Sequence, residues 1–169
     1  MDPVLLTFHA PIHDLDLVAR HVVRDHLPEH LVRWKRITNA FEMVYLTTCQ
    51  RAMWMFWGGT PEHLRLPSEV ARYEGEAAWR HLLEVGTGLM SANLGDREVV
   101  DQLRTALDQA RDCGTASTEA TAVIEDVLRE ALRLRVKAGL ADGSASVASV
   151  ALHHLEEAMP QGGRAVLVG

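Results

Sequence analysis

The chain has 169 residues, 47% of them hydrophobic and 24% charged, which is enough for one ordinary core and excludes a disordered tail or a disulfide-stapled mini-protein. Apolar runs such as Met53–Trp57 fall far short of the ~18–20 residues a membrane span needs, and Met1-Asp2-Pro3 lacks the basic start of a signal peptide, so a soluble, cytoplasmic protein is expected. The formal charge of −6 at pH 7 disfavours attraction to nucleic acid over the whole surface, and Cys49 and Cys113 form neither a disulfide framework nor a Cys/His metal cluster.

The first third reads as mixed strand and helix. Val4–Phe8 is a short apolar run stopped by His9-Ala10-Pro11, and Leu15, Val18, Val22 and Val23 then recur at helical spacing up to Pro28. Glu42–Thr48, rich in β-branched and aromatic residues, and Met53–Trp57, which ends on Gly58-Gly59, both read as strands. Gly-Gly-Thr-Pro and then Leu66-Pro67-Ser68 read as loop.

From Gly75 onward the pattern is helical. Ala78, Leu82, Val85 and Leu89 form one stripe, which predicts a helix over Glu76–Ser91. Gly86 and Gly88 cost that helix roughly 1 kcal/mol each relative to Ala, and close backbone packing is the usual compensation. Val99, Leu103, Leu107 and Ala110 mark a second helix closed at Cys113-Gly114. A third starts at Ser117 or Thr118, carries Ile124, Val127, Leu128, Ala131 and Leu134, and stops at Gly139; a fourth runs from about Ser146 to Met159. Ala165–Gly169 is a wholly apolar strand halting on Gly, the way a dinucleotide-binding βαβ unit opens, so a Gly-rich turn and helix are expected to follow in a longer protein.

Chemistry concentrates at Thr47-Thr48-Cys49-Gln50-Arg51, between two strands. If the segment is extended, Cys49 and Arg51 point the same way, and a guanidinium near a thiol favours the thiolate nucleophile; the alternative is a small buried hydrophobe. His81 lies at the edge of the Ala78/Leu82/Val85 face, where it either makes a satisfied core contact or serves as an acid or base. The other histidines show no zinc-ligand spacing beyond the generic His26/His30 pair, and no metal is assigned. Arg129, Arg133 and Lys137 form a basic stripe, and Arg33-Trp34-Lys35-Arg36 a basic cluster; both suit a solvated face or an RNA backbone.

Taken together these segments resemble glutamyl-tRNA reductase. The family's Thr-Cys-Asn-Arg signature is similar to Thr48-Cys49-Gln50-Arg51. Its Gly-Leu-x-Ser-x-x-Leu-Gly-Glu is similar to Gly88–Asp96, preceded by a His at the spacing of His81. Its Gln-Val-Lys resembles Gln102-Leu103-Arg104, and its Ala-Val-Ser-Val-Ser-Ser-Val helix start resembles Ser144–Val150. Two stretches depart from the pattern: Asn-Arg-Thr-Glu is replaced by Gln50-Arg51-Ala52-Met53, and Glu-Pro-Gln by Asp96-Arg97-Glu98.

The resemblance implies an NADPH-dependent oxidoreductase that reduces glutamyl-tRNA to glutamate-1-semialdehyde through a cysteine thioester, the entry to five-carbon tetrapyrrole biosynthesis. It implies Cys49 and His81 as catalytic residues and Thr48, Gln50, Arg51, Ser91, Asp96, Arg97, Glu98 and Gln102 as substrate contacts. The partners implied are glutamyl-tRNA, a second subunit in the full-length protein and the downstream aminomutase. The fold expected is α+β: a ferredoxin-like sheet followed by a helical bundle, ending in the first strand of an incomplete Rossmann-like domain. Residues 1–145 would form the glutamyl-tRNA-binding domain and 146–169 the start of a truncated NADPH-binding domain. The alternatives are a noncatalytic module that binds tRNA or protein, and an unrelated thiol-dependent acyl transferase.

Overall fold

A computed structural model describes residues 2–10, 12–91, 98–140, 147–159 and 164. Strands β1 (Pro3–His9), β2 (Glu42–Thr48), β3 (Arg51–Trp57) and β4 (Ala71–Glu74) form one antiparallel sheet in the order β2-β3-β1-β4, the order of a split βαβ sheet. All seven residues of β3 are buried because the strand lies inside the sheet with both faces covered, which is why it reads as an unbroken apolar run.

Alternation along the strands divides the core in two. Leu6, Phe8, Met43, Tyr45, Trp54 and Phe56 face helices α1 (Leu15–His21) and α2 (Leu27–Thr38). Leu5, Val44, Leu46, Met53, Met55 and Trp57 face α3 (Glu76–Thr87), α4 (Glu98–Asp112) and α5 (Thr118–Lys137). Helix α6 (Val147–Ala158) follows, and among the described residues no helix is long and apolar enough to cross a membrane.

Several boundaries differ from the sequence reading. Pro28 stands in the first turn of α2, where its missing N–H costs nothing, so it opens a second helix in place of ending the first. Strand β3 begins at Arg51, not Met53, because the ladder continues past the apolar run to pair Arg51 with both Thr48 and His9. The segment read as loop before Gly75 contains β4, a short half-exposed edge strand whose alternation is masked by Arg72 and Glu74. Between β3 and β4 the chain makes only a one-turn 3₁₀ helix, Pro61–Leu64.

Helix α3 ends at Thr87 rather than Ser91, and Leu89, beyond it, is exposed. Its two glycines do different work. Gly88 is the left-handed C-cap, at φ 78°, while Gly86 sits inside the helix, where an added Cβ would lie 3.0 Å from the Cβ of Ala131. Close packing of α3 on α5 is therefore the compensation for Gly86. The expected domain boundary at 145–146 and the terminal strand Ala165–Gly169 lie outside the described residues.

Candidate active site

Strands β2 and β3 are joined by a two-residue turn, Cys49-Gln50, closed by the Thr48–Arg51 pair. The Thr48 hydroxyl accepts a hydrogen bond from the Gln50 N–H at 3.1 Å, and the Gln50 carbonyl accepts one from the Ala10 N–H at 3.1 Å. Cys49 is thus presented at an anchored hairpin tip and is exposed. The turn takes Cys49 out of strand alternation, so the extended segment that would set the thiol and Arg51 on one face is not formed. Arg51 is buried at 3% exposure on the α3 side of the sheet.

Behind the tip lies a buried polar cluster. Thr48, Arg51 and His9 form the last cross-strand row on the α3 face, beyond the row of Leu46, Met53 and Thr7. The Arg51 Nη2 donates to the Met90 carbonyl at 2.6 Å, tying the sheet to the chain just past α3. His81, on α3, stacks on Tyr73 with ring centroids 4.2 Å apart and lies 5.1 Å from the His9 ring. Its Nδ1 lies 3.7 Å from Glu84. The Nε2 atoms of His9 and His81 and the Nε of Arg51 are buried without hydrogen-bond partners.

This packing sets the charges. Burial, with neighbouring His9 and Arg51, pushes His81 down to about 3; burial, Arg51 and His13 push His9 down to about 4. Both rings are neutral at pH 7. Burial lowers Arg51 to about 10, which leaves it a cation at neutral pH. The cluster is one fixed positive charge among neutral imidazoles, suited to binding an anion or an ester carbonyl. His81 held this low is a neutral hydrogen-bonding group and a poor proton acceptor. Among the described residues the Cys49 thiol makes no hydrogen bond, to His81 or otherwise.

A family model described as "Glutamyl-tRNAGlu reductase, N-terminal domain" matches residues 8–138. The chain belongs to the glutamyl-tRNA reductase N-terminal domain family. Its relatives named glutamyl-tRNA reductase include one from Salinibacter ruber, 32% identical over 135 residues, covering 72% of this chain and 28% of the relative. One from Micrococcus luteus is 42% identical over 84 residues, covering 50% of this chain and 19% of the relative. One from Akkermansia muciniphila is 27% identical over 160 residues, 85% of this chain and 47% of the relative. The chain therefore spans less than half the length of these relatives. The solved structure of glutamyl-tRNA reductase from Methanopyrus kandleri shares the fold, with a TM-score of 0.78 over 92% of this chain and 39% of that one, at 20% identity.

Of the residues singled out from the family motifs, Thr48, Cys49, Gln50, Arg51 and His81 lie at or directly behind the hairpin tip, and Ser91 adjoins Met90, the partner of Arg51. Glu98 opens α4 and is exposed. Gln102, one turn on, is half-buried against the outer edge of β2. Asp96 and Arg97 lie outside the described residues. Sequence reasoning missed His9. Alternation of Leu5, Thr7 and His9 would have placed it on the Leu5 face, but only the β1–β3 register reveals that it meets Arg51. Among the described residues no group of His, Cys, Asp and Glu is placed to hold a metal ion.

Proposed function

We propose that this chain is the thiol-bearing, substrate-binding part of a glutamyl-tRNA reductase, an oxidoreductase of tetrapyrrole synthesis, and that Cys49 attacks the ester linking glutamate to its tRNA. The observation that carries this reading is a cysteine held at the tip of an anchored hairpin, two residues before a buried guanidinium with an unpaired Nε that neighbours two neutral imidazoles.

The chemistry follows from those groups. The Cys49 thiol gives its proton to solvent and the sulfur adds to the ester carbonyl; the bond to the ribose oxygen breaks, that oxygen takes a proton from solvent as it leaves, and glutamate remains as a thioester on Cys49. Arg51, charged at neutral pH, would hold the substrate carboxylate by charge-assisted hydrogen bonds, with Thr48 and Ser91 as polar neighbours. Gln50, Asp96, Arg97, Glu98 and Gln102 complete the contacts that the family motif suggests. His81 serves as a neutral hydrogen-bonding partner for the substrate. In this reading NADPH supplies the hydride that reduces the thioester to the aldehyde. The steps derived from the residues of this chain end at the thioester. The sheet is read as ferredoxin-like and the reductase as a cytoplasmic homodimer that delivers its product to the aminomutase.

The test is incubation with tRNA charged with radiolabelled glutamate. Wild type should retain label on protein and Cys49→Ser should not. Equal labelling of the two would sink the nucleophile, and binding without any labelling would favour a noncatalytic tRNA-binding module.

A further inference from the structure

A recess of about 220 Å³ opens along the outer edge of β2, against α4 and the segment between α1 and α2. Its polar lining comes from Arg24, Tyr45, Thr47, Gln102, Thr105 and Gln109. The reason for this composition lies in the sheet. β2 is an edge strand, and the Met43 N–H turns away from β3 to bond the Thr115 carbonyl at 2.8 Å. Alternate residues of an antiparallel strand turn their main-chain groups to the same side, so Tyr45 and Thr47 direct theirs toward α4 as well. No main-chain bond from α4 meets them among the described residues. Opposite them α4 presents Gln102, Thr105 and Gln109, at i, i+3 and i+7, one polar stripe beside its buried apolar one.

We propose that this recess receives the terminal nucleoside of the aminoacyl-tRNA whose ester carbonyl is attacked by Cys49; the inference rests on the reading of Cys49 given above. Thr47 precedes Cys49 by two residues and is the next-to-last residue of β2, so the recess ends at the strand end that carries the turn. The scissile ester joins the acyl group directly to the ribose of that nucleoside. With the acyl carbon at the thiol and the carboxylate drawn to Arg51, the nucleoside must leave on another side of the tip, and the recess is the adjoining space. It is smaller than the roughly 300 Å³ at which pockets for drug-sized ligands begin, so it takes one flat group and no duplex. Main-chain donors and acceptors of β2 that no described residue bonds, with two carboxamides and a hydroxyl, match the hydrogen-bonding edges of an unstacked base, the way single-stranded RNA ends are read. Arg24, exposed beside the opening, offers a cation to the phosphate on the 5′ side, a local charge that a chain of net −6 must supply if it is to hold RNA. An added peptide strand is the other occupant an open edge invites, but only two residues of β2 are open here, too few for a ladder.

The experiment has two arms, on wild type, Arg24→Ala and Gln109→Ala; both side chains are exposed, and matching thermal midpoints verify the fold. In the first, the RNA trinucleotide CpCpA is titrated and followed by backbone amide shifts. Saturable binding is expected, with shifts centred on Tyr45–Thr47 and α4 and roughly tenfold weaker affinity in each variant. Unchanged affinity in both variants, shifts centred elsewhere, or displacement of RNA by an extended peptide but not by adenosine 5′-monophosphate would overturn the assignment. In the second arm, Cys49 is acylated either by glutamyl-tRNA or by a small glutamate thioester that lacks a nucleoside. The variants should raise the apparent KM roughly tenfold for the tRNA donor alone; equal effects on both donors would overturn the recess. A wrong assignment of Cys49 shows itself differently, as no acylation of wild type by either donor, and the trinucleotide arm still decides the recess.

Discussion

Replacing Gly86 by alanine tests how tightly α3 is seated. Gly86 has ordinary helical backbone, so alanine gains about 1 kcal/mol of intrinsic helix propensity. Against that, the new Cβ would stand 3.0 Å from the Cβ of Ala131 and 3.2 Å from Cδ2 of Leu128. Both neighbours are fully buried. The Leu128 methyl has no open solvent to swing into, and the Ala131 Cβ moves only with the backbone of α5. The helices must therefore part by a few tenths of an ångström, and overpacking of this kind costs about 1–3 kcal/mol. The difference is a net loss of about 1 kcal/mol, a fall of roughly 2–4 °C in Tm for a chain of this size. Thermal and urea unfolding measure it. Ala131→Gly, which alone costs about 1 kcal/mol inside α5, should relieve the contact in the Gly86→Ala background and recover most of the loss, giving a coupling of about 2 kcal/mol between the two sites. A Gly86→Ala protein more stable than wild type, or additive effects of the two changes, would refute the contact. Because α3 carries His81 and leads to Met90, the variant should also loosen the Arg51–Met90 hydrogen bond.

Three further outcomes are expected. Burial holds His81 at about 3 and His9 at about 4, below the ordinary 6.5, so the unfolded chain takes up protons near pH 6.5 that the folded chain refuses. Stability is then full above about pH 7 and declines as pH falls toward 4, by on the order of a few kcal/mol. Urea unfolding at pH 7, 5 and 4 should show this decline reduced in His81→Phe, and an unchanged slope would contradict the buried neutral ring. Gly59→Ala places a Cβ at φ +75°, 2.7 Å from the Ala40 nitrogen and closer still to the Thr38 carbonyl, so the loss should exceed about 2 kcal/mol; a fall in Tm of under a degree would show that the loop has room. Arg51→Met leaves the Met90 carbonyl without its donor, which costs about 1–3 kcal/mol of stability, and should raise the KM for a glutamyl donor more than tenfold; a KM within twofold of wild type would remove Arg51 from recognition.

What could be read in the sequence follows how each element is buried. Strand β2, the apolar part of β3 and the stripes of α3, α4 and α5 announce themselves by period, because one or both faces are in the core. Strand β4 does not, since half its residues are solvated and its role is to close the sheet at β1. Helix α2 was hidden by Pro28, a residue that ends helices and also begins them. At the site the thiol, the guanidinium and the imidazole on α3 were legible as a motif. Their arrangement was not. Which way Cys49 points is set by a two-residue turn, and the meeting of His9, Arg51 and His81 by strand register and the seating of α3. Neither quantity is local in sequence.

The central claim is that the Cys49 thiol forms a covalent bond to glutamate. The most direct measurement is peptide mapping by mass spectrometry after brief exposure to glutamyl-tRNA at neutral pH. A glutamyl adduct on the peptide that contains Cys49, removed by hydroxylamine and absent in Cys49→Ser, is the predicted result. An adduct located on Cys113 or on no cysteine, while the tRNA is still deacylated, would contradict it.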